Sequence, residues 1–363
     1  MGLRLVGSVD WDRIALLRAV RSGDALVRRQ GTVKKKQSRM MRLNHAGLCF
    51  GIAISCLAGA AAGVPIDLTD STPSVSGPTT LHIDGILTLG SSYWADFRWN
   101  SSKNVFEVTG YGEEVPEGTV LIKAGTFTMG SPPDEPGRSD DETEHEVTLT
   151  RDFYLSKTEV TQAQWVEVMG SNPSHFSDCE ECPVEWVSWY DAVDYCNARS
   201  VADELEPAYE VDGTNVSWKQ AANGWRLPTE AEWEYGCRAS SSSAFYNGPI
   251  TEMMCDVDPS LDEIGWYCAN SMGQTQPVGG KLPNAWGIYD MSGNVWELCW
   301  DWYGDYPAGP VSDPSGPSSG EYRLIRGGRW NNWAETCRSA DRYLSSPGYR
   351  FYNIGFRVAS WTR

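Results

Sequence analysis

Along this chain the apolar positions change period several times, and the changes mark the elements. Leu81-His-Ile-Asp and Ile86-Leu-Thr-Leu alternate apolar and polar residues. Asn104-Val-Phe-Glu-Val does so again beyond an Asn100-Ser-Ser-Lys turn. Period two is the signature of half-buried strands, so residues 81–113 are expected to form a small β unit of about three strands. Thr119-Val-Leu-Ile-Lys, Thr126-Phe-Thr-Met, Glu146-Val-Thr-Leu-Thr and Phe153-Tyr-Leu carry the same β-branched and aromatic bias, interrupted by a polar loop over 132–145. Short helices announce themselves by their caps. Thr161 with Gln164 forms a capping box opening a helix that ends at Gly170. Ser188 precedes a second helix over 189–198. Pro228-Thr229-Glu-Ala-Glu232 opens a third, to about Cys237. The remainder is turn-rich until two late strands, over 322–325 and 354–360.

Breaks in composition set the domain plan. Pro65, Pro73 and Pro78 among Ser and Thr make residues 63–80 read as a linker. Gly112-Glu-Glu-Val-Pro116 separates the β unit from a larger domain over 117–363. The 36 Gly, 20 Pro, 17 Trp and 16 Tyr point to a loop-rich α+β domain held by bulky aromatic packing rather than long helices. Trp296, Trp300, Trp302 and Trp330 read as part of that packing.

Charge is distributed unevenly. Residues 1–62 hold 11 Lys+Arg against 3 Asp+Glu, leaving 19 Lys+Arg against 45 Asp+Glu in the rest, a charge of −26. Phosphates would be repelled by such a body, which argues against nucleic-acid or anionic-membrane partners. Glu230, Glu232 and Glu234 sit at a predicted helix N-terminus, where acids favour the helix dipole, and read as a solvated, capped helix end. Gly327-Gly328 after a strand implies a sharp turn or a close backbone approach.

Met40-Met-Arg-Leu-Asn-His45 is followed by an apolar, Ala- and Gly-rich run over 46–62 with small-x-small sites at its end. Residues 40–62 therefore read as a secretory signal peptide, with residues 1–39 as an extension ahead of the true start. An uncleaved segment of this kind would be the only route to a membrane. The expected location is exported: periplasmic, outer-surface or secreted. Eight cysteines follow: Cys179, Cys182, Cys196, Cys237, Cys255, Cys268, Cys299 and Cys337. An even number in an exported chain reads first as disulfides. By spacing, Cys179 pairs with Cys182, Cys255 with Cys268, Cys299 with Cys337 and Cys196 with Cys237, leaving no free thiol. Zinc is disfavoured because no second close pair accompanies Cys179-Glu-Glu-Cys182.

Seven phrases over 117–363 resemble the formylglycine-generating-enzyme (sulfatase-modifying-factor) family, in that family's order. They are Ala124-Gly-Thr-Phe-Thr-Met-Gly-Ser131, Lys157-Thr-Glu-Val-Thr161, Pro183-Val-Glu-Trp-Val-Ser-Trp-Tyr-Asp-Ala192 and Trp225-Arg-Leu-Pro-Thr-Glu-Ala-Glu-Trp-Glu-Tyr235. Asn284-Ala-Trp-Gly-Ile-Tyr-Asp-Met-Ser-Gly-Asn-Val-Trp-Glu297, Arg326-Gly-Gly328 and Asn353-Ile-Gly-Phe-Arg357 complete the series. The resemblance implies a modified C-type-lectin-like α+β fold with little regular secondary structure.

It also implies sites. Calcium takes hard oxygen ligands. The family's calcium phrase maps onto the side chains of Asp290 and Glu297 and the carbonyls of Gly293 and Val295. A second site maps onto Asn270 and Ser271, where the following Gly273-Gln-Thr-Gln-Pro-Val lacks the family's acid. The family's oxidase uses two cysteines five residues apart after the Arg-Gly-Gly turn, whose thiolates bind Cu(I). Counting from Arg326, these positions are Asn332 and Cys337, and Arg329 replaces the family's serine. One thiolate cannot hold copper as two do. Iron, used in other branches of the superfamily, calls for histidine and carboxylate ligands, and only His82, His145 and His175 follow residue 62. Three readings follow: a calcium-stabilised binding or surface module lacking the copper activity, an oxidase acting on a cysteine of a client sulfatase, or a non-heme iron oxidoreductase. A client protein or peptide is the expected partner.

Overall fold

The computed structural model describes residues 115–362, and before them only the paths of six strands. The chain divides at Glu114/Val115 into two units. In the first, β1 (Arg4–Leu5), β2 (Ile66–Asp67), β3 (Thr72–Val75), β4 (Leu81–Leu89), β5 (Tyr93–Asn100) and β6 (Val105–Glu113) form one antiparallel sheet of order β1-β6-β5-β4-β2, with β3 also on β4. β4, β5 and β6 occupy the stretch expected to be a three-stranded unit. β2 and β3 lie within the stretch expected to be a linker, 63–80, and both pair with β4. The signal segment expected over 40–62 lies outside the described residues.

The second unit is built from short strands and four short helices. β7 (Thr119–Ile122) and β18 (Ala359–Trp361) flank β10 (Phe153–Ser156), so the start and end of the domain close on one antiparallel sheet. β8 (Gly125–Met129) pairs with β9 (His145–Leu149), which β14 (Val311–Ser312) joins in parallel. A hairpin joins β11 (Tyr209–Asp212) to β12 (Asn215–Trp218). The fourth sheet has the order β16-β15-β13-β17, from β13 (Trp296–Trp302), β15 (Arg323–Arg326), β16 (Arg342–Ser345) and β17 (Ile354–Gly355). Helices α1 (Gln162–Met169), α2 (Trp189–Ala202) and α3 (Glu230–Arg238) begin at the capping boxes of Thr161, Ser188 and Thr229. Helix α4 (Pro259–Ile264) starts at Asp258, whose side chain accepts from Ser260 and Leu261. Among the described residues no helix is long and apolar enough to cross a membrane.

Three apolar clusters fill this unit. One joins α2 to β13 and the Ile354–Val358 stretch, and a second joins α3 to the strands at the domain's start and end. A third lies around Phe245, Tyr267, Ala334 and Cys337. Trp296 and Trp330 are buried, while Trp300 and Trp302 are half-buried. Trp302 and Trp189 sandwich the Arg323 guanidinium at 3.5 and 3.7 Å from their ring centroids, a cation–π arrangement strengthened by burial.

The solvated helix end expected at α3 is corrected. Glu230, Glu232 and Glu234 are all buried, because each meets an arginine: Glu230 and Glu234 from distant strands, Glu232 from the segment just before the helix. Glu232 takes two 2.6 Å bonds from Arg226. Glu230 pairs with Arg342, and Glu234 lies between Arg238 and Arg326. Burial alone would raise the Glu230 pKa, but Arg342 and Arg326 outweigh it and hold the carboxyl below its usual range. Removing one member of a buried pair costs more than the pair contributes, since its partner stays charged and dry. Glu234→Ala leaves Arg238 without its ion-pair partner and Arg326 with only the more distant Glu230, at 3.6 Å, and is expected to cost about 3–5 kcal/mol. Urea unfolding checks this; a loss below about 1 kcal/mol, as for an exposed pair, would contradict the arrangement.

Candidate functional site

The turn at Gly327-Gly328 brings three candidate regions together. Both glycines have positive φ, 94° and 74°. A Cβ on Gly328 would stand 2.6 Å from Cys337 Sγ and 2.7 Å from the Thr336 carbonyl, so only glycine lets the turn lie on that segment. Gly293 donates its amide to the Gly327 carbonyl, and Trp330 donates its own to Asn294. The expected calcium phrase and the expected copper segment are thus stitched together by their backbones.

Cys337 ends a 3-10 turn over Ala334–Cys337 and is completely buried. Burial, with Asp341 nearby, pushes its thiol up to about 12, which favours the protonated form near neutrality. Asn332, at the other expected copper position, accepts the Cys268 amide with its carbonyl. Its side-chain oxygen is buried without a partner.

Two of the four expected disulfides form: Cys179–Cys182 and Cys255–Cys268. The other two expected pairs are corrected, and with them the absence of free thiols: Cys196, Cys237, Cys299 and Cys337 are free and buried. Packing separates them. Cys196 belongs to the first apolar cluster, Cys237 and Cys299 to the second, and Cys337 to the third. Burial also raises the Cys237 thiol to about 11 and lifts those of Cys196 and Cys299.

At the calcium phrase, three buried carboxylates surround one arginine. Arg357 donates to both Glu297 oxygens at 2.5 and 2.7 Å, and Trp233 Nε1 donates to Oε2 at 2.8 Å. Glu297 is therefore turned to the core. Asp290 accepts the Gly279 amide at 2.6 Å through one oxygen, and its other oxygen is buried and unpartnered. Glu159, which sequence reasoning did not single out, accepts from the Asn294 side chain at 3.2 Å and the Val295 amide at 3.4 Å. Burial raises its pKa well above the usual range, and repulsion from Asp290 and Glu297 adds to the shift. Burial also raises the Asp290 carboxyl to about 6, so these two acids are held toward the protonated form unless a cation offsets their charge. The unpartnered Asp290 oxygen could serve a cation; the Glu297 carboxylate, already paired with Arg357, could not.

Asn270 and Ser271 make a self-contained turn. Asn270 accepts the Tyr267 amide and donates to Asp262 and the Gly265 carbonyl. The Ser271 hydroxyl oxygen accepts from Gly273, and its carbonyl accepts from Gln276. Among the described residues no three His, Cys, Asp or Glu side chains come together as a metal cluster. The His145 ring lies 4.4 Å from that of Tyr306, tilted by 47°, whereas His175 sits among Phe176, Trp186 and Tyr352. The two histidines thus serve different ring clusters.

Beyond the turn the surface is aromatic. Trp330 lies 5.6 Å from Phe176 and 5.8 Å from Tyr352, which continues through Phe351 to exposed Tyr349. Trp186, exposed and with φ 64°, stacks on Phe351, and exposed Tyr343 stacks on Trp296. The aromatic content signalled these rings; their convergence on one face was not visible in the sequence.

Residues 106–361 match the profile of the sulfatase-modifying factor enzyme 1-like domain. The chain belongs to that family. A chaperone protein LppX of Paenibacillus barcinonensis is 36% identical to it over 268 residues, 64% of this chain and 84% of that protein. A formylglycine-generating enzyme of Streptomyces coelicolor is 28% identical over 280 residues, 67% of this chain and 89% of the enzyme. A serine/threonine-protein kinase pkn1 of Chlamydia pneumoniae is 32% identical over 255 residues, but this chain spans only 37% of its length. Among solved structures, Treponema denticola variable protein 1 superposes with a TM-score of 0.61 at 31% identity, covering 77% of this chain and 99% of that one. The sulfatase-modifying-factor domain here thus has the expected α+β, C-type-lectin-like architecture.

Proposed function

We propose that this sulfatase-modifying-factor domain is an exported, calcium-stabilised binding or surface module without the copper-dependent oxidase activity of the formylglycine-generating enzymes. One observation carries the reading: Asn332 stands where a first copper cysteine is expected, and Cys337 is a fully buried thiol packed beneath Gly328. Cu(I) would be left without paired thiolates, and a client cysteine without a place to join them. The face above is instead lined with rings, which suit a protein or peptide partner because they bury much area with little loss of side-chain freedom. A nucleic-acid partner is disfavoured by the charge of −26 beyond residue 62. Export is supported by the signal-like stretch over 40–62 and by two disulfides.

Oxidase activity is tested by incubating the protein with Cu(I), oxygen and a Cys-x-Pro-x-Arg peptide, followed by mass spectrometry. No formylglycine is expected. Steady aldehyde formation that disappears in Cys337→Ser while the melting curve is unchanged would establish an oxidase.

Calcium, when bound, would supply charge balance and rigidity to the Gly327–Gly328 turn. Asp290 and Glu159 are the side chains that would hold it, with main-chain oxygens of the 290–295 loop. A ligand bound only by the folded state stabilises by about 2.7 kcal/mol at a hundredfold excess over its dissociation constant. Chelation is therefore expected to lower the melting temperature, millimolar calcium to restore it, and Asp290→Ala, which removes the oxygen donor, to abolish both responses. Identical curves with chelator and with calcium would mean that protons, not a cation, balance these carboxylates.

A further inference from the structure

The Cys179–Cys182 disulfide has the layout of a reactive pair. Only Glu180 and Glu181 separate its cysteines, and the Cys182 amide donates to the Cys179 carbonyl at 3.1 Å, so the bond closes one tight turn. Cys179 is half-buried, whereas Cys182 is only 3% exposed. An incoming thiolate therefore meets the Cys179 side of the bond and leaves Cys182 as the departing sulfur. The turn keeps its place without the bond. Its Cys182 and Glu180 carbonyls accept from Gln162 and Ala163 in the first turn of α1, its Glu181 carbonyl accepts from Val278, and Pro183 bridges to Thr161. A disulfide closing so few residues also constrains the unfolded chain little. The departing sulfur has an acceptor waiting: Cys182 Sγ lies 3.9 Å from the Thr275 carbonyl, which only the reduced thiol, with its S–H, can use. Cys255–Cys268 is built differently. It ties positions 13 apart around α4, and its cysteines are exposed and half-buried, so no sulfur is held back as the departing one.

We propose that Cys179–Cys182 is a thiol–disulfide exchange site that oxidises a pair of cysteine thiols on a basic segment of a partner polypeptide. One partner thiolate attacks Cys179 Sγ. A new S–S bond forms between them as the Cys179–Cys182 bond breaks, and Cys182 leaves as a thiolate that takes a proton from water. The partner's second thiolate then attacks the partner sulfur of this mixed disulfide and expels Cys179, which is protonated in turn. The partner departs as a disulfide, having given two electrons, and the pair is left as two thiols. Charge selects the partner: Asp178, Glu180 and Glu181 are all exposed on the turn, so basic residues beside the partner's cysteines are attracted and acidic ones repelled.

The test mixes the complete oxidised chain with an excess of the reduced peptide acetyl-Lys-Cys-Gly-Gly-Cys-Lys-amide. The mixture is quenched in acid, alkylated under denaturant and read by mass spectrometry. One peptide disulfide per chain is expected, with Cys179 and Cys182 newly alkylated and Cys255–Cys268 intact. A counterpart with Glu for both Lys is expected to react about tenfold more slowly at low salt, and the gap to close at high salt. Cys182→Ser, given the oxidised peptide, is expected to hold it as a mixed disulfide at Cys179. Cys179→Ser is expected to form such an adduct at Cys182 at least about tenfold more slowly, because that sulfur is buried. The double variant Cys179→Ser/Cys182→Ser is expected to melt as the native chain does and to oxidise no peptide. Failure of the native chain to oxidise the peptide would overturn the proposal. So would oxidation that persists in the double variant, or adducts forming equally fast at Cys179 and Cys182. Equal rates for the Lys and Glu peptides would overturn the basic partner.

Discussion

The buried matching of α3 carboxylates to arginines from other elements is the constraint on which the rest of the domain depends. Helix α3 carries three glutamates in alternation, and each must find a cation in the dry interior or forgo its charge. Arg326 comes from the end of β15, Arg342 from the start of β16, and Arg226 from the segment before the helix. These bonds fix α3 against the fourth sheet, and with it the point where β15 stops and Gly327-Gly328 turns. Arg338 extends the network to Glu142 in the polar loop ahead of β9, at 2.7 Å. A loop-rich domain lacks long ladders of backbone bonds; here directional ion pairs determine which loops lie together.

That framework holds a face whose segment over 326–342 carries a single cysteine, Cys337. The Gly-Gly turn closes on Cys337, and the segment after it presents Arg329, tryptophans and tyrosines. In the proposed account the framework is shared with catalytic members of the family, whereas the face is used for recognition. The acidic group around Arg357 sits directly behind the turn through the Gly293–Gly327 bond, so occupancy there would stiffen the face without touching a ligand.

Much of this was legible in the sequence wherever a local signal existed. Thr161, Ser188 and Thr229 marked helix starts because capping is read within four residues. The early strands were visible because they alternate. β13 was not, because four of its first residues are buried in succession and no period survives. The β11–β12 hairpin was missed although Tyr209-Glu-Val-Asp and Asn215-Val-Ser-Trp both alternate about an Asp212-Gly turn, a signal the reading passed over. The glutamates of α3 looked solvated because their arginine partners are as far away as Arg342, 112 residues on. Cysteine pairing failed for a similar reason: neighbours in sequence, Cys179–Cys182 and Cys255–Cys268, were found, while Cys196 and Cys337 sank into separate cores. Glu159 was passed over because nothing local reveals that it faces Asp290.

The central claim is that the segment after Arg326-Gly-Gly328 offers copper no thiolate pair. The most direct measurement is a Cu(I) competition titration of the folded, oxygen-free protein against a chromophoric chelator. The account predicts no stoichiometric copper binding, and no difference between the native chain and Cys337→Ser. One tightly held Cu(I) per chain, lost in Cys337→Ser with the fold intact, would contradict it.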